Sequence, residues 1–188
     1  MAESKAAGTG GAVWFGLPFR NAICIATPFS EIGFMTRLHP LIRHDPDPEN
    51  PGWWTWDIGE RPSGAERYNA TLGKLLVRPE AEGRARCRMF PGVLQSNLAD
   101  VVHGGAILTF IDMAMFAGGH AAGCDIGPAV TQDLACQFLS AARLGIPLDC
   151  AVEVLRESAR LVSLRGLCEQ DGEIVASWTG TLRKLSRS

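Results

Sequence analysis

Residues 103–121 read HGGAILTFIDMAMFAGGHA, and this stretch decides the fold. Ala106, Ile107, Leu108, Phe110, Ile111, Met113, Ala114, Met115 and Phe116 spread over every face of a helix. A helix apolar all round is predicted to be buried all round. Its start is marked by two glycines, and its end by GHAAGCDIGP, where glycines and a proline stop helical pairing. One residue breaks the rule. Asp112 sits among apolar neighbours, and burying a lone carboxylate costs several kcal/mol unless it is paired or hydrogen-bonded.

The flanking sequence alternates as strands do. LGKLLVR (72–78) and GRARCRMF (83–90) are two β-like runs joined by PEAEG, a hairpin candidate. In the second run Ala85, Cys87 and Met89 alternate with Arg84, Arg86 and Arg88, giving one apolar and one basic face. The arginine face is expected to be solvated; contact with a phosphorylated ligand is the alternative. After the helix come AVTQDLACQFLS, LDCAVEVL, ARLVSLRGLCEQ and EIVASWTGTLRK. The last two flank Asp171-Gly172, a strong two-residue hairpin signal. The order β-β-α-β-β-β-β predicts an α+β domain, an antiparallel sheet wrapped on one buried helix.

Residues 70–188 are therefore read as the folded domain, and 1–69 as an N-terminal extension. Residues 1–34 contain AAGTGGA and show no sustained period, and Met35 offers a second start. DPDPENPG (45–52) reads as a turn-rich linker, and Trp53, Trp54 and Trp56 are expected to pack on the domain behind it.

Bulk properties exclude several functions. The 188 residues carry a net charge of −2, which gives no reason to expect nucleic acid or an anionic membrane as partner. No run reaches the 18 or so apolar residues of a membrane span. Six scattered cysteines, without a C-x-x-C pair or a nearby histidine, read as buried thiols in a reducing cytoplasm rather than disulfides or metal ligands.

The chemistry gathers at the helix start. His103-Gly104-Gly105 leaves free N–H groups at the positive end of a helix, with no side chains to block a ligand. An oxyanion hole for acyl transfer is built this way. Gly104 and Asp112 are eight residues apart, about 12 Å at roughly 1.5 Å per residue. A base must lie within about 3 Å of the reacting group, directly or through one water. Both residues of one chain therefore cannot act on one carbonyl. Two antiparallel helices about a two-fold axis would bring each Asp112 to the other chain's helix start, giving a site between subunits.

NLADVVHGGAILTFIDMA, followed by AVTQDLACQFLSAARLG, resembles the PaaI-type acyl-CoA thioesterases of the hotdog superfamily. The shared set is an asparagine, HGG, an aliphatic–Asp pair, then [ST]-x-[DN]-L-x-x-x-[FY]. The resemblance covers about residues 70–185. It implies a long helix wrapped by a five- or six-stranded antiparallel sheet, in homodimers often paired into homotetramers. It also implies a cytoplasmic hydrolase acting on acyl-CoA, with no metal or other cofactor, because coenzyme A is part of the substrate. By position Asp112 matches the catalytic carboxylate, acting as base or nucleophile. Gly104 matches the residue whose backbone N–H polarises the thioester carbonyl. His103 and Asn97 match the residues that bind and orient the thioester, and Thr131 the one that assists the lytic water. Gly105, Phe116 and Arg143 are expected in substrate binding, with Met115 and Gly118-Gly119 shaping the acyl pocket. Arg143, Arg84 and Arg86 are unranked candidates for the coenzyme A phosphates. Asp133, two residues from Thr131, is expected on the same strand face as a structural partner. His120 is expected to cap the helix end or rim the pocket. LADVV after Asn97 departs from the family, which usually carries a glycine there. The competing functions are a hotdog enoyl-CoA hydratase or dehydratase, and a non-catalytic acyl-CoA binding protein.

Overall fold

A computed structural model describes residues 42–58 and 67–185. The reading of residues 1–34 as an extension, and of Met35 as a start, falls outside them. Short strands β1 (Ile42–Arg43), β2 (Trp54–Thr55) and β3 (Asp57–Ile58) come first. Strands β4 (Leu75–Ala81) and β5 (Arg84–Met89) then form a hairpin, and helix α1 (Gly104–Ala121) follows. Strands β6 (Ala129–Phe138), β7 (Leu148–Glu157), β8 (Leu161–Gln170) and β9 (Glu173–Lys184) complete the order expected from the alternation.

The main sheet runs β2-β4-β5-β7-β8-β9-β6, antiparallel at each pairing. Six long strands match the upper expected number, and the two-residue β2 adds a seventh at the edge. The sheet curves around α1, which packs chiefly on β5, β7 and β4. This is the hotdog fold. Phe110, Ile111 and Met115 of the helix meet a floor that includes Met89, Leu148, Leu164, Trp178 and Leu182, all at most 1% exposed. Helix and sheet approach closely at Gly118, where a Cβ would lie 2.5 Å from Val152 Cγ2. At Gly119 it would lie 2.9 Å from Ile126 Cδ1. These two glycines, like Met115, are buried in packing contacts with the sheet side rather than set along an open pocket.

The expectation of a helix buried all round needs a second correction. Gly105, Thr109, Asp112, Phe116 and His120 are only half-buried, and Leu108 is exposed. Spaced by three or four residues, they make one partly exposed stripe along α1, touched by Tyr68 at Thr109, Thr131 at Asp112 and Trp56 at His120. The sequence hid it because three of the six, Gly105, Leu108 and Phe116, are not polar.

Cys87, Cys150 and Cys168 are successive partners across β5, β7 and β8, all fully buried. Burial pushes the Cys87 thiol well up, so it is inert as a nucleophile. All cysteines among the described residues are free, and no group of His, Cys, Asp and Glu there is placed to hold a metal. Among the same residues no helix is long and apolar enough to cross a membrane.

The opposite sheet face is charged and self-satisfied. Arg84 pairs with Glu153, Arg86 with Glu80 and Glu169, and Arg88 with Asp149. Arg84 and Arg86 therefore point away from the helix, into ion pairs. The segment before residue 58 is clasped onto this edge. Trp53, 5% exposed, lies between the Arg78 and Arg88 guanidinium groups, each 4.5 Å from its ring centre. Lys74 reaches Asp47 at 2.6 Å and holds that carboxyl below the usual carboxylate range. The Asp47 contribution is thus complete at neutral pH and fades as pH falls through the lowered value. Trp53→Leu keeps an apolar side chain but loses both cation–π contacts. It is expected to cost about 1–2 kcal/mol. Limited proteolysis should then cut within 42–58 before the domain melts.

Candidate active site

The loop from Pro91 to His103 is set by one buried amide. Gln95, 8% exposed, accepts the Gly92 N–H at 2.8 Å and donates to the Thr71 carbonyl at 2.5 Å. Its own backbone carbonyl takes the His103 N–H at 2.8 Å, which fixes where the helix begins. Sequence reasoning missed this residue, since a lone glutamine in a loop carries no periodic signal. Gln95→Leu strands the Thr71 carbonyl and the Gly92 N–H. It should lower stability by about 1–3 kcal/mol in denaturant titrations and speed exchange of the His103 amide.

Asn97 sits in the same loop. Its side-chain oxygen accepts the Ala99 N–H at 2.8 Å and the Val101 N–H at 3.4 Å. These bonds consume the acceptor and leave the amide NH2 as the group available to a ligand. Val101 bridges to Arg143, so that residue borders the loop. The Arg143 guanidinium is exposed and pairs with Asp171 at 2.6 Å.

At the helix start His103 is the N-cap. Its Nδ1 accepts the Gly105 N–H at 2.8 Å, and its carbonyl takes the N–H groups of Ala106 and Ile107. A neutral ring that accepts at Nδ1 carries its proton on Nε2, so the exposed His103 presents a donor. Among the described residues the Gly104 N–H has no acceptor. It is the open donor at the positive end of α1.

Asp112 lies two turns further on, half-buried on the partly exposed stripe. The Thr131 hydroxyl donates to its Oδ1 at 2.5 Å. A register shift between Thr131 and Asp133 separates their strand partners, Leu182 and Thr181, onto opposite faces. Asp133 consequently leaves the Thr131 face and is exposed. One extra residue in β6 inverts the alternation that placed the two together. Phe116, one turn past Asp112 on the same stripe, is half-buried against the core. His120, near the helix end, packs against the Trp56 ring at 5.8 Å between centres.

The structure thus brings Asp112 to Thr131, and His103, Gly104, Gly105 and Asn97 to one corner. It leaves Asp112 and Gly104 of one chain apart. Phe138, at the far end of β6, is the aromatic that closes the [ST]-x-[DN]-L-x-x-x-[FY] set, to which sequence reasoning gave no separate role. Its Cζ is 3.3 Å from the place a Gly104 Cβ would occupy.

Residues 99–175 match the family model described as Thioesterase superfamily. None of the curated proteins matches the chain. Solved structures do. A mutant of the phenylacetic acid degradation protein PaaI from Thermus thermophilus is 24% identical. That match covers 64% of this chain and 100% of the other, with a TM-score of 0.54. The PaaI protein of the E. coli phenylacetic acid degradation operon is 21% identical, covering 62% and 83%, with a TM-score of 0.54. A hypothetical thioesterase from Streptococcus pneumoniae, solved with coenzyme A, is 16% identical, covering 63% and 91%, also at 0.54. These likenesses show the fold.

Proposed function

We propose that this chain, which is similar to the PaaI-like hotdog thioesterases, hydrolyses acyl-CoA thioesters to free acid and coenzyme A. The observation that carries this reading is the partly exposed side of α1. It presents a carboxylate held by its own Thr131, and a helix-start N–H with no acceptor among the described residues, about 12 Å apart by the helix rise. A second copy packed antiparallel on the stripe supplies the missing partner to each. The active unit is a homodimer, or a pair of dimers, with two sites between protomers.

The thioester carbonyl oxygen lies at the Gly104 N–H, with the Nε2–H of His103 and the amide NH2 of Asn97 beside it. These donors meet the charge that develops on oxygen as the carbonyl becomes tetrahedral. Asp112 of the facing protomer has Oδ1 occupied by Thr131 and Oδ2 open toward a water. As base it takes one proton from that water while the oxygen bonds to the carbonyl carbon. Collapse breaks the C–S bond, and the proton goes to the thiolate, so acid and thiol leave in balance. As nucleophile, Asp112 itself bonds to the carbon while the C–S bond breaks and coenzyme A leaves as thiolate. Water then opens the anhydride at the Asp112 carboxyl carbon, freeing the acid and giving a proton to the thiolate. A single turnover in 18O-labelled water separates the routes, since only the second leaves label in the Asp112 carboxyl. Phe116 lines the acyl side, and Arg143 borders the loop where the coenzyme A moiety enters. No metal or redox cofactor has a part in this chemistry.

The test is thiol release from a panel of aryl-, short- and medium-chain acyl-CoAs. Release that saturates with at least one substrate is the expected result. Binding of a non-hydrolysable analogue without turnover of any substrate turns the reading to a binding protein. Hydration of crotonyl-CoA in place of thiol release turns it to a hydratase.

A further inference from the structure

Strand β6 touches the helix at both positions the proposed reaction uses. Its residue Thr131 holds Asp112, and seven residues on Phe138 meets Gly104. The ring approaches tip first, with Cζ at 3.3 Å and Cε1 and Cε2 at 3.6 Å from the Gly104 Cβ position. Phe138 is nonetheless 49% exposed, on the last strand of the sheet. An aromatic side chain kept half in water gains little for the core. Its ring stands against Gly104, whose N–H lacks an acceptor among the described residues.

On the reading of the site given above, we propose that Phe138 is a positioning residue for the hydrolysis. Its ring closes one side of the Gly104 N–H to water. The thioester carbonyl then reaches that donor from the side where Asp112 of the facing protomer stands. A donor kept dry and pre-aimed stabilises a developing oxyanion more than one that must first shed water. The same contact gives a further reason for glycine at 104. An alanine there keeps its N–H, but its Cβ presses on the ring.

The test combines steady-state kinetics with amide exchange at Gly104 in the unliganded protein. Phe138→Ala should lower kcat about tenfold, below the ~10²–10³ lost with an oxyanion donor itself. KM should stay near the wild-type value, and the melting temperature should barely move. Exchange at the Gly104 amide should rise about tenfold. Phe138→Tyr, which keeps the ring, should restore both readouts. Gly104→Ala should lower kcat as well, and the double variant Gly104→Ala/Phe138→Ala should lose no more than the worse single variant. If Phe138→Ala fails to fold, Phe138→Leu stands in for it with the same two readouts. A wild type without turnover overturns the hydrolysis, and the role of the ring with it. An active wild type overturns the role of the ring alone if the variant keeps its kcat, changes only KM, or leaves Gly104 exchange unmoved.

Discussion

Asp112→Ala lowers kcat for acyl-CoA hydrolysis by about 10²–10⁴, the usual worth of a positioned general base. The loss is expected in kcat rather than KM, because on either proposed route the carboxylate acts in the bond-making step and does not hold the bound thioester. Stability should change little. Asp112 is half-buried on the partly exposed stripe, where the Thr131 hydroxyl of the edge strand β6 donates to it. Asp112→Asn sharpens the test. An asparagine oxygen still accepts the Thr131 hydroxyl, so local structure is kept while the base is removed. Steady-state kinetics beside thermal melts decide the matter. An unchanged kcat in a folded Asp112→Asn protein removes this residue from the mechanism.

Trp178→Ala has the largest expected effect on folding. Trp178 is 1% exposed and pairs directly with Gly166 on the neighbouring strand. A Cβ at Gly166 would lie 1.9 Å from the Ala151 carbonyl oxygen and 2.7 Å from the indole. The ring therefore fills the space that the glycine leaves. Removing it opens a cavity in the core of a sheet that cannot collapse across four paired strands. The expected cost is about 3–5 kcal/mol, a fall of roughly 10 °C or more in Tm. The indole N–H is buried without a hydrogen-bond partner among the described residues. Trp178→Phe gives up that unsatisfied donor along with part of the ring, so it should cost clearly less than Trp178→Ala. Equal melting temperatures for the two variants would show that the ring is not what holds this corner.

The helix was legible because it is long, apolar and bracketed by glycines. The long strands were legible because their alternation runs for six residues or more. Short elements were not. Strand β2 is two residues long, too short to show a period, yet it places Trp54 and Thr55 in the sheet beside Val77 and Leu76. The inversion at Asp133 escaped for a related reason. Alternation predicts faces only while every residue is paired, and one inserted residue resets it. At the site, Asp112 announced itself by being charged among apolar neighbours, and the glycines by their spacing from it. Its bond to Thr131 joins residues 19 apart. The family resemblance placed Thr131 among the working residues, whereas no local pattern did. Gln95 works through an amide buried in a loop, and Phe138 sets a half-exposed ring against Gly104. Such roles appear only when the chain has been folded.

The central claim is that each site borrows its carboxylate from the other protomer. Mixed dimers test it most directly. Asp112→Asn disables one half of the site, and Gly104→Pro removes the N–H of the other while suiting the first helical position. Each variant alone should be nearly inactive. Co-refolded in equal amounts, half the dimers are mixed, and each mixed dimer holds one intact site. The mixture should recover about a quarter of wild-type activity. A mixture no more active than its two parents, with subunit exchange verified, would contradict a site shared between chains.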